Sequence, residues 1–437
     1  MIIVCEPQCK EFSHEKFNSG FIHGLRLAYP QEKILLYADL SHIDAIKNIL
    51  SKNAINVGDI EYIPIRFQLT GSMAAFARYH FLFKRIFIDV FAAGSDKLFL
   101  LSFSPAILYI IKKLKQKRKF KNIKFALVCH GPFEFIANDR GNQLSLQIRE
   151  EGSFIQKIRN AKLTDLLPKI TSKVTRLIIR HYQHMVEYIR DLFRLRFSIK
   201  KVLLWQPSAD FKYILLGKHV IANVQKYIDI KDFNFHTIVL PTVFSEPTPR
   251  IRHEYVKFAV FGYGYPAILQ KVLTCLSQKK INSLYEVRII GMATGGLEGF
   301  ANVTCPSPGK PLSREEMEKN ALDIDMFLVL YDRALYKLTC SGSIIEALSY
   351  LKPILHFDNE CISSFNKKEN PIGVCCEGVE SMAATMQDMI NNYSSYVPKL
   401  EEYRKNMLEL RKQIAIENNL QELKNSFTSL LSGKTFI

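Results

Sequence analysis

The chain has 437 residues, of which 48% are hydrophobic and 23% are charged. That length exceeds one ordinary core and suits two domains of roughly 150 to 250 residues each, and the composition excludes a largely disordered chain. The formal net charge of +17 predicts an anionic partner, such as a nucleotide, an acidic glycan, a membrane surface or a nucleic acid. No apolar run of about 18 residues or more is present, so the sequence predicts no membrane-spanning helix.

Short apolar runs alternate with helical patterns through the first half of the chain. Strands are predicted at residues 2–5, 33–37, 97–101, 123–129, 202–205 and 236–240, and amphipathic helices at 41–52 and 104–115. The first of these strands begins almost at the first residue, where a signal peptide would have a basic leader, so we expect a cytoplasmic protein.

The second half repeats this alternation, with strands predicted at residues 257–261, 285–290, 325–330, 353–357 and 372–375. Alternating strands and helices are typical of parallel sheets covered on both faces, so we predict an α/β chain of two doubly wound, Rossmann-like domains. Three prolines, Pro241, Pro247 and Pro249, indicate an extended linker between them. The predicted units are residues 1–245, residues 246–397 and a helical segment at 398–437.

Nine cysteines occur without the spacing of a metal site, and their number is odd. We interpret them as free thiols in a reducing compartment and predict no metal site. Cys375 and Cys376 are adjacent in a predicted strand, so their side chains should lie on opposite faces.

Two glycine-containing turns follow predicted strands in the second half. The first contains Gly262, Tyr263 and Gly264 and precedes a helical pattern, and the second contains Gly291. Such turns let the backbone approach a phosphate at the carboxyl edge of a parallel sheet. An ordinary strand-to-helix turn and a flexible loop remain the alternatives.

The segment from Ser341 to Pro353 carries the strongest signal. Ser341 or Ser343 can cap a helix, and Gly342 permits close approach of a ligand to the backbone. The free N–H groups and dipole of this helix would bind a diphosphate, and Glu346, one turn further on, could accept the two hydroxyl groups of a ribose. The alternative is a well-capped helix with an exposed glutamate.

Residues 325–357 resemble the donor-binding region of bacterial GT-B glycosyltransferases, in which a strand and a polar loop are followed by Ser-Gly, Glu-Ala and a Lys-Pro-Ile or Gly-Pro-Ile turn. The resemblance implies that the second domain binds a nucleotide-sugar, that the first binds the acceptor, and that the C-terminal helix crosses back to the first domain. It implies sugar transfer to a glycan or lipid-linked acceptor, as in bacterial surface-polysaccharide synthesis. Similar retaining members carry a glutamate eight positions before the second one, and here Leu338 occupies that position.

Two cations, Arg333 and Lys337, lie in the loop before the Ser341 helix. Either could neutralise the charge of a departing diphosphate, as a metal ion does in other transferases. No acidic triplet typical of metal-dependent transferases is present, so we expect a metal-independent reaction with no cofactor besides the donor substrate.

In the first half, His130 follows a strongly apolar strand and is the leading candidate for a base acting on an acceptor hydroxyl. His14 and Glu11 follow the first strand and are alternative bases, as is Glu15. A structural histidine beside a turn is the competing interpretation of His130.

Two basic runs lie in the first half, with eight Lys or Arg residues at positions 112–124 and twelve at 157–201. They predict either solvated surfaces or, for the second run, an amphipathic helix on an anionic membrane. A nucleotide-sugar epimerase of the same architecture and a basic protein that binds nucleic acid are the rival functions. No recognisable nucleic-acid-binding module accompanies the charge, so we expect no nucleic-acid partner.

Overall fold

The structure is a computed structural model. It describes residues 1–66, 73–136, 198–231, 233–262, 265–291, 296–297, 299–308, 310 and 312–425.

The first domain contains a seven-stranded parallel sheet with the order β3-β2-β1-β4-β5-β6-β7. Its strands are β1 (Ile2–Cys5), β2 (Ile34–Ala38), β3 (Ile60–Pro64), β4 (Lys97–Leu100), β5 (Lys124–Val128), β6 (Phe211–Leu215) and β7 (Asn234–Thr237). The α-helices in the described residues of this domain are α1 (Glu15–Ala28), α2 (Leu40–Lys52), α3 (Met73–Ala92), α4 (Pro105–Lys115), α5 (Ile199–Leu204) and α6 (Lys218–Val224). The strand order reverses between β1 and β4, which places a ligand-binding crevice at their carboxyl ends.

The second domain contains a six-stranded parallel sheet with the order β10-β9-β8-β11-β12-β13. Its strands are β8 (Val256–Phe261), β9 (Tyr285–Ile290), β10 (Val303–Thr304), β11 (Met326–Val329), β12 (Ile354–Phe357) and β13 (Gly373–Cys376). The helices are α7 (Pro266–Ser277), α8 (Arg314–Leu322), α9 (Gly342–Tyr350), α10 (Glu360–Ser363), α11 (Val379–Asn391), α12 (Tyr393–Gln413) and α13 (Leu420–Asn425). Here the order reverses between β8 and β11.

The predicted fold class of two doubly wound parallel-sheet domains is confirmed. One strand prediction is wrong, because residues 202–205 belong to helix α5 and its C-terminus. Ser198 caps this helix by accepting a hydrogen bond from the Lys201 backbone N–H, and the buried Lys112 ammonium donates to the carbonyl oxygens of Val202 and Leu203. A short apolar run is ambiguous between a buried strand and a helix, and these polar contacts decide for the helix.

The free-thiol prediction agrees with the structure, since all nine cysteines are free. In β13, Cys375 is exposed and Cys376 is buried, as expected for neighbours on opposite faces of a strand. In the part of the chain that the structure describes, no helix is both long and apolar enough to cross a membrane.

The chain returns to the first domain after α12, as predicted. The short helix α13 packs against α1, where the Tyr29 hydroxyl donates to the carbonyl oxygen of Lys424 at 2.8 Å. Within α12, Arg411 donates to the carbonyl oxygens of Leu348 in α9 and Ser245 in the linker. The C-terminal segment therefore joins helix α9, the linker and the first domain.

Helix α1 presents two glycines to these connecting segments. A Cβ atom at Gly20 would lie 2.5 Å from the carbonyl oxygen of Pro241 in the linker. One at Gly24 would lie 2.5 Å from side-chain carbons of Ile416 and Leu423 in the returning segment. Real Cβ contacts are longer than this, so α1 packs here through its backbone. Because neither glycine has a Cβ atom, the linker and the returning C-terminal segment can lie close to the backbone of α1.

Substitution of Gly20 by alanine should therefore destabilise the protein. In a helix with free space this change stabilises by roughly 0.5 to 1 kcal/mol, whereas the clash with the Pro241 carbonyl should reverse the sign and lower the free energy of unfolding by about 1 to 3 kcal/mol. Chemical denaturation measures the difference. Gly342→Ala is the matched control, because Gly342 lies in a helix with no atom within 4 Å of its added Cβ. A more stable Gly20→Ala variant would contradict this packing.

Candidate functional site

The N-terminus of α9 opens at the point where the strand order of the second sheet reverses. Ser341 caps the helix by accepting a hydrogen bond from the Ser343 backbone N–H at 3.2 Å, and its hydroxyl donates to the Tyr331 hydroxyl at 2.9 Å. Ser341 is buried, whereas Gly342 is exposed and Ser343 and Glu346 are half-buried. Gly342, Ser343 and Glu346 therefore lie on the accessible face of α9.

The two predicted glycine turns meet each other beside this helix. Gly262 has a φ of 78°, and its position would place a Cβ atom 3.9 Å from the Ser343 hydroxyl oxygen. A Cβ atom at Gly291 would lie 2.1 Å from the carbonyl oxygen of Gly262, so Gly291 is needed for the two turns to pack. Tyr263 and Gly264 lie outside the described residues.

Two tyrosines, Tyr265 and Tyr331, line the pocket between β8, β11 and α9, and a third, Tyr336, packs against Tyr331. The ring of Tyr331 lies 5.4 Å from that of Tyr265 and 4.5 Å from that of Tyr336, measured between centroids. Tyr265 and Tyr336 have positive φ values of 45° and 56°, a conformation that non-glycine residues rarely adopt. Two aromatic residues held in this conformation beside a pocket mark it as a candidate ligand site.

Glu346 binds two cations, one from each domain. Lys16, in the first turn of α1, approaches Glu346 Oε2 with its Nζ atom at 2.6 Å. Arg314, at the start of α8, binds both carboxylate oxygens, at 3.1 Å and 3.2 Å. Burial opposes ionisation, yet Lys16 and Arg314 together hold the pKa of Glu346 at about 2. The carboxylate is therefore ionised at neutral pH.

A second carboxylate, Glu15, completes this cluster. Its side chain is only 5% exposed, and its Oε1 atom lies 3.2 Å from Arg314 Nε. Burial raises the pKa of Glu15 to about 7, although Arg314 opposes the shift. The Lys16 ammonium also lies 4.5 Å from the centre of the Tyr350 ring. Two carboxylates, two cations and one aromatic ring thus meet between the domains.

The predicted cations of the preceding loop do not join this cluster. The Arg333 side chain is 76% exposed and forms an ion pair with Asp358 at 2.9 Å. Lys337 accepts a hydrogen bond at its backbone carbonyl from Asn223 of the first domain. Leu338, at the position of the missing glutamate, is buried, and its backbone N–H donates to Glu134 at 3.4 Å.

In the first domain, the predicted bases His14 and His130 are brought together. Their closest ring nitrogens are 2.8 Å apart, and the His130 ring stacks on Phe17 with centroids 4.9 Å apart. Burial and the neighbouring His14 ring lower the pKa of His130 well below its ordinary value. Glu11 is exposed, and its backbone carbonyl accepts from the His42 ring at 2.8 Å.

Sequence reasoning missed Lys16, Arg314 and the tyrosines. Lys16 directly follows Glu15, one of the candidate bases after the first strand. Its position near the carboxyl end of that strand could therefore have marked it as a site residue. Arg314 begins an acidic helix with a Ser313 capping box, which is typical of a solvated surface helix. No local pattern indicates that it contacts Glu346, because that contact depends on how the two helices pack.

The raised pKa of Glu15 predicts a pH dependence of stability. Between its ordinary pKa of 4.5 and about 7, the folded protein retains a proton that the unfolded chain loses, so the free energy of unfolding falls as pH rises. Glu15→Gln removes this loss. At 1.36 kcal/mol per pKa unit, the free energy of unfolding of Glu15→Gln should rise by about 2 kcal/mol relative to that of the wild type between about pH 5 and about pH 7.

Urea denaturation at both pH values measures this difference. Glu409→Gln is the control, because that side chain is 63% exposed. A difference in stability between Glu15→Gln and the wild type that stays constant with pH would contradict a buried, protonated Glu15.

Comparison with solved structures finds glycosyltransferases that match nearly the whole chain. A glycosyltransferase from Rickettsia africae ESF-5 is 10% identical with a TM-score of 0.54, and the match covers 99% of each chain. A variant of TarM from S. aureus, solved with UDP and two other ligands, is 10% identical with a TM-score of 0.55 over 98% of this chain and 99% of that one. HepE from Anabaena, solved with UDP, is 10% identical with a TM-score of 0.51 over 98% and 100% of the two chains.

No family model and no curated protein matches the sequence. The structural matches extend over both sheets and the returning C-terminal segment, at identities that show the fold alone. The chain therefore has the GT-B fold, the two-domain architecture of these glycosyltransferases.

Proposed function

We propose that this protein is a glycosyltransferase that moves a sugar from a nucleoside diphosphate or monophosphate donor to a glycan or lipid-linked acceptor. The assembly of a bacterial surface polysaccharide is the setting that suits such an acceptor. The second domain would bind the donor, and the first would bind the acceptor.

The observation that carries this proposal is the exposed N-terminus of α9 with Glu346 on the same face. Free N–H groups and the positive end of the helix dipole attract phosphate, and Gly342 leaves that approach open. The Glu346 carboxylate, ionised at neutral pH, can accept hydrogen bonds from ribose hydroxyls. Two structural neighbours were solved with UDP, which supports a nucleotide at this site.

On the acceptor side, we assign His14 and His130 to the contact with the acceptor hydroxyl. Burial and the proximity of the two rings keep His130 neutral at pH 7. A neutral imidazole can accept a proton, which is what deprotonation of an attacking hydroxyl requires. The pair lies at the carboxyl edge of the first sheet, with His14 directly before α1 and His130 after β5.

We propose further that protein cations neutralise the leaving diphosphate without a metal ion. Arg314 is the best placed, because it is largely buried and already bound to Glu346. Burial opposes its charge, but Glu346 raises the pKa of Arg314, so it stays positive at any working pH. A fixed positive charge in a site shielded from water stabilises a developing anion strongly.

Nucleoside diphosphates should raise the melting temperature of the purified protein. We expect one of UDP, GDP and ADP to produce a shift of several degrees at concentrations well above its dissociation constant, because a ligand that binds only the folded state stabilises it. Glu346→Gln should reduce that shift, since the neutral amide is a weaker acceptor for ribose hydroxyls.

The shift produced by nucleotide, measured within each variant, is the quantity to compare, because Glu346→Gln also alters the ion-pair cluster. Glu409→Gln serves again as an exposed control and should keep the full shift. Absence of a shift with all three nucleotides in a folded sample would contradict the proposed donor site.

We also propose that the basic first domain binds an anionic membrane surface, close to a lipid-linked acceptor. Within the run at 112–124, Lys112 and Lys115 are buried and bind backbone carbonyls, so they contribute nothing to such a surface. Lys117, Arg118 and Lys119 are exposed and remain available. Most of the second run lies outside the described residues.

Co-sedimentation with vesicles tests this interaction. Binding to phosphatidylcholine vesicles should rise when phosphatidylglycerol is added, and a Lys117→Glu, Lys119→Glu double variant should bind at least fivefold more weakly. Each basic residue near an anionic surface contributes about 1 kcal/mol, or about fivefold in affinity. The same reversal at the exposed Lys367 and Lys368 of the second domain is the control. Equal losses in both double variants, or no preference for anionic vesicles, would contradict a surface on the first domain.

A further inference from the structure

We propose that Lys16 and the ribose of the donor compete for Glu346, so that the Lys16–Glu346 ion pair is a latch between the domains that nucleotide binding releases. The inference rests on the proposed function, because it assigns ribose recognition to Glu346. It adds a residue of the first domain, Lys16, that controls how tightly the second domain binds nucleotide.

The hydrogen-bonding capacity of Glu346 carries the first step. An ionised carboxylate offers about four acceptor positions, two on each oxygen. Oε2 is fully used, by Lys16 Nζ at 2.6 Å and Arg314 Nη2 at 3.2 Å. Oε1 accepts from Arg314 Nη1 at 3.1 Å, which leaves one position. A ribose that donates both hydroxyls needs two positions, so one cation has to move away.

Lys16 is the cation that yields. Arg314 belongs to the same domain as Glu346, binds it through two nitrogens, and is also held by Glu15 at 3.2 Å from its Nε. Lys16 makes a single hydrogen bond to Glu346 and comes from the other domain. Bidentate guanidinium pairs are the stronger and geometrically more specific arrangement. Removing Lys16 therefore frees the second acceptor position at the smaller cost.

The surroundings of Lys16 also favour its release. Its side chain is 12% exposed, and the charged groups around it are Glu346, Arg314 and Glu15, with the Tyr350 ring on one side. Burial lowers the pKa of Lys16 to about 8 even though Glu346 favours the charged form. Burial of the charged ammonium therefore costs free energy, and the ion pair with Glu346 offsets part of that cost.

Release of Lys16 would act on the domain arrangement through α1. Lys16, Gly20 and Gly24 follow one another at intervals of four residues and lie on one face of this helix. Gly20 packs on the linker, and Gly24 packs on the returning C-terminal segment. The ion pair at Lys16 joins this face directly to α9, so its loss would leave α1 connected to Glu346 indirectly, through Glu15 and Arg314.

Nucleoside binding to Lys16→Met tests the competition. Nucleosides lack phosphate, so a freed Lys16 cannot add attraction of its own to the measured affinity. Titration calorimetry with uridine, guanosine and adenosine measures the affinity. For the nucleoside that binds the wild type, we expect a 5- to 150-fold higher affinity for Lys16→Met, which is the usual range for coupling between sites. Lys33→Met is the matched control, because Lys33 forms an exposed ion pair with Glu61 in the same domain. Equal or weaker binding to Lys16→Met would overturn the proposal.

A second measurement, the radius of gyration from X-ray scattering, addresses the latch itself. Lys16→Met without ligand and wild type saturated with UDP should change in the same direction relative to free wild type. Lys16→Arg, which keeps the charge, should resemble wild type in both experiments and shows that the position tolerates substitution. An unchanged radius for Lys16→Met would contradict a latch.

The outcomes separate this inference from the proposed function. Tight binding of nucleotide to wild type with unaltered nucleoside binding in Lys16→Met overturns the latch and leaves the donor site intact. Failure of wild type and Lys16→Met alike to bind any nucleoside or nucleoside diphosphate contradicts the donor site, and the latch with it.

Discussion

Helix α1 packs through its backbone, at Gly20 and Gly24, against the segments that connect the two domains, and this close packing determines where its first turn lies. The linker carbonyl and the returning segment approach within a distance that no side chain permits, and in this arrangement Lys16 lies beside Glu346 of α9 and Glu15 beside Arg314 of α8. One helix of the first domain therefore completes a site on the second. The site depends on the relative position of the domains as well as on either sheet.

Charge pairing then explains why four ionisable groups can lie together away from water. The ionised Glu346 carboxylate binds both cations, and Arg314 bridges it to Glu15, whose raised pKa lets that carboxyl keep its proton below about pH 7. Buried charges persist only where partners compensate them, so removal of one member leaves another uncompensated. Replacement of one partner by a ligand is consequently easier than its loss. Such a group suits a site that exchanges protein contacts for contacts with a polar substrate.

The fold was predictable because each domain repeats a local pattern of buried strand and amphipathic helix, and parallel sheets require that alternation. The capped N-terminus of α9 was also predictable from a local pattern, because Ser341 caps the backbone N–H of Ser343, two residues further on. The run at 202–205 was misassigned because a four-residue apolar segment has no period, and the side chain that binds its carbonyl groups, Lys112, lies 90 positions before Val202. Glu346 lies 330 positions after Lys16 and 32 positions after Arg314 in the sequence, and it contacts both. No local pattern encodes such contacts.

The most direct test of nucleotide binding at α9 is amide hydrogen exchange with and without UDP, or whichever diphosphate binds, followed by mass spectrometry. Binding at the proposed site predicts slower exchange in the peptide spanning Ser341 to Glu346 and in the turn at Gly262, because the ligand would cover both segments and restrict their opening to water. Protection confined to the first domain, or none in these peptides at saturating nucleotide, would contradict the assignment of the donor site.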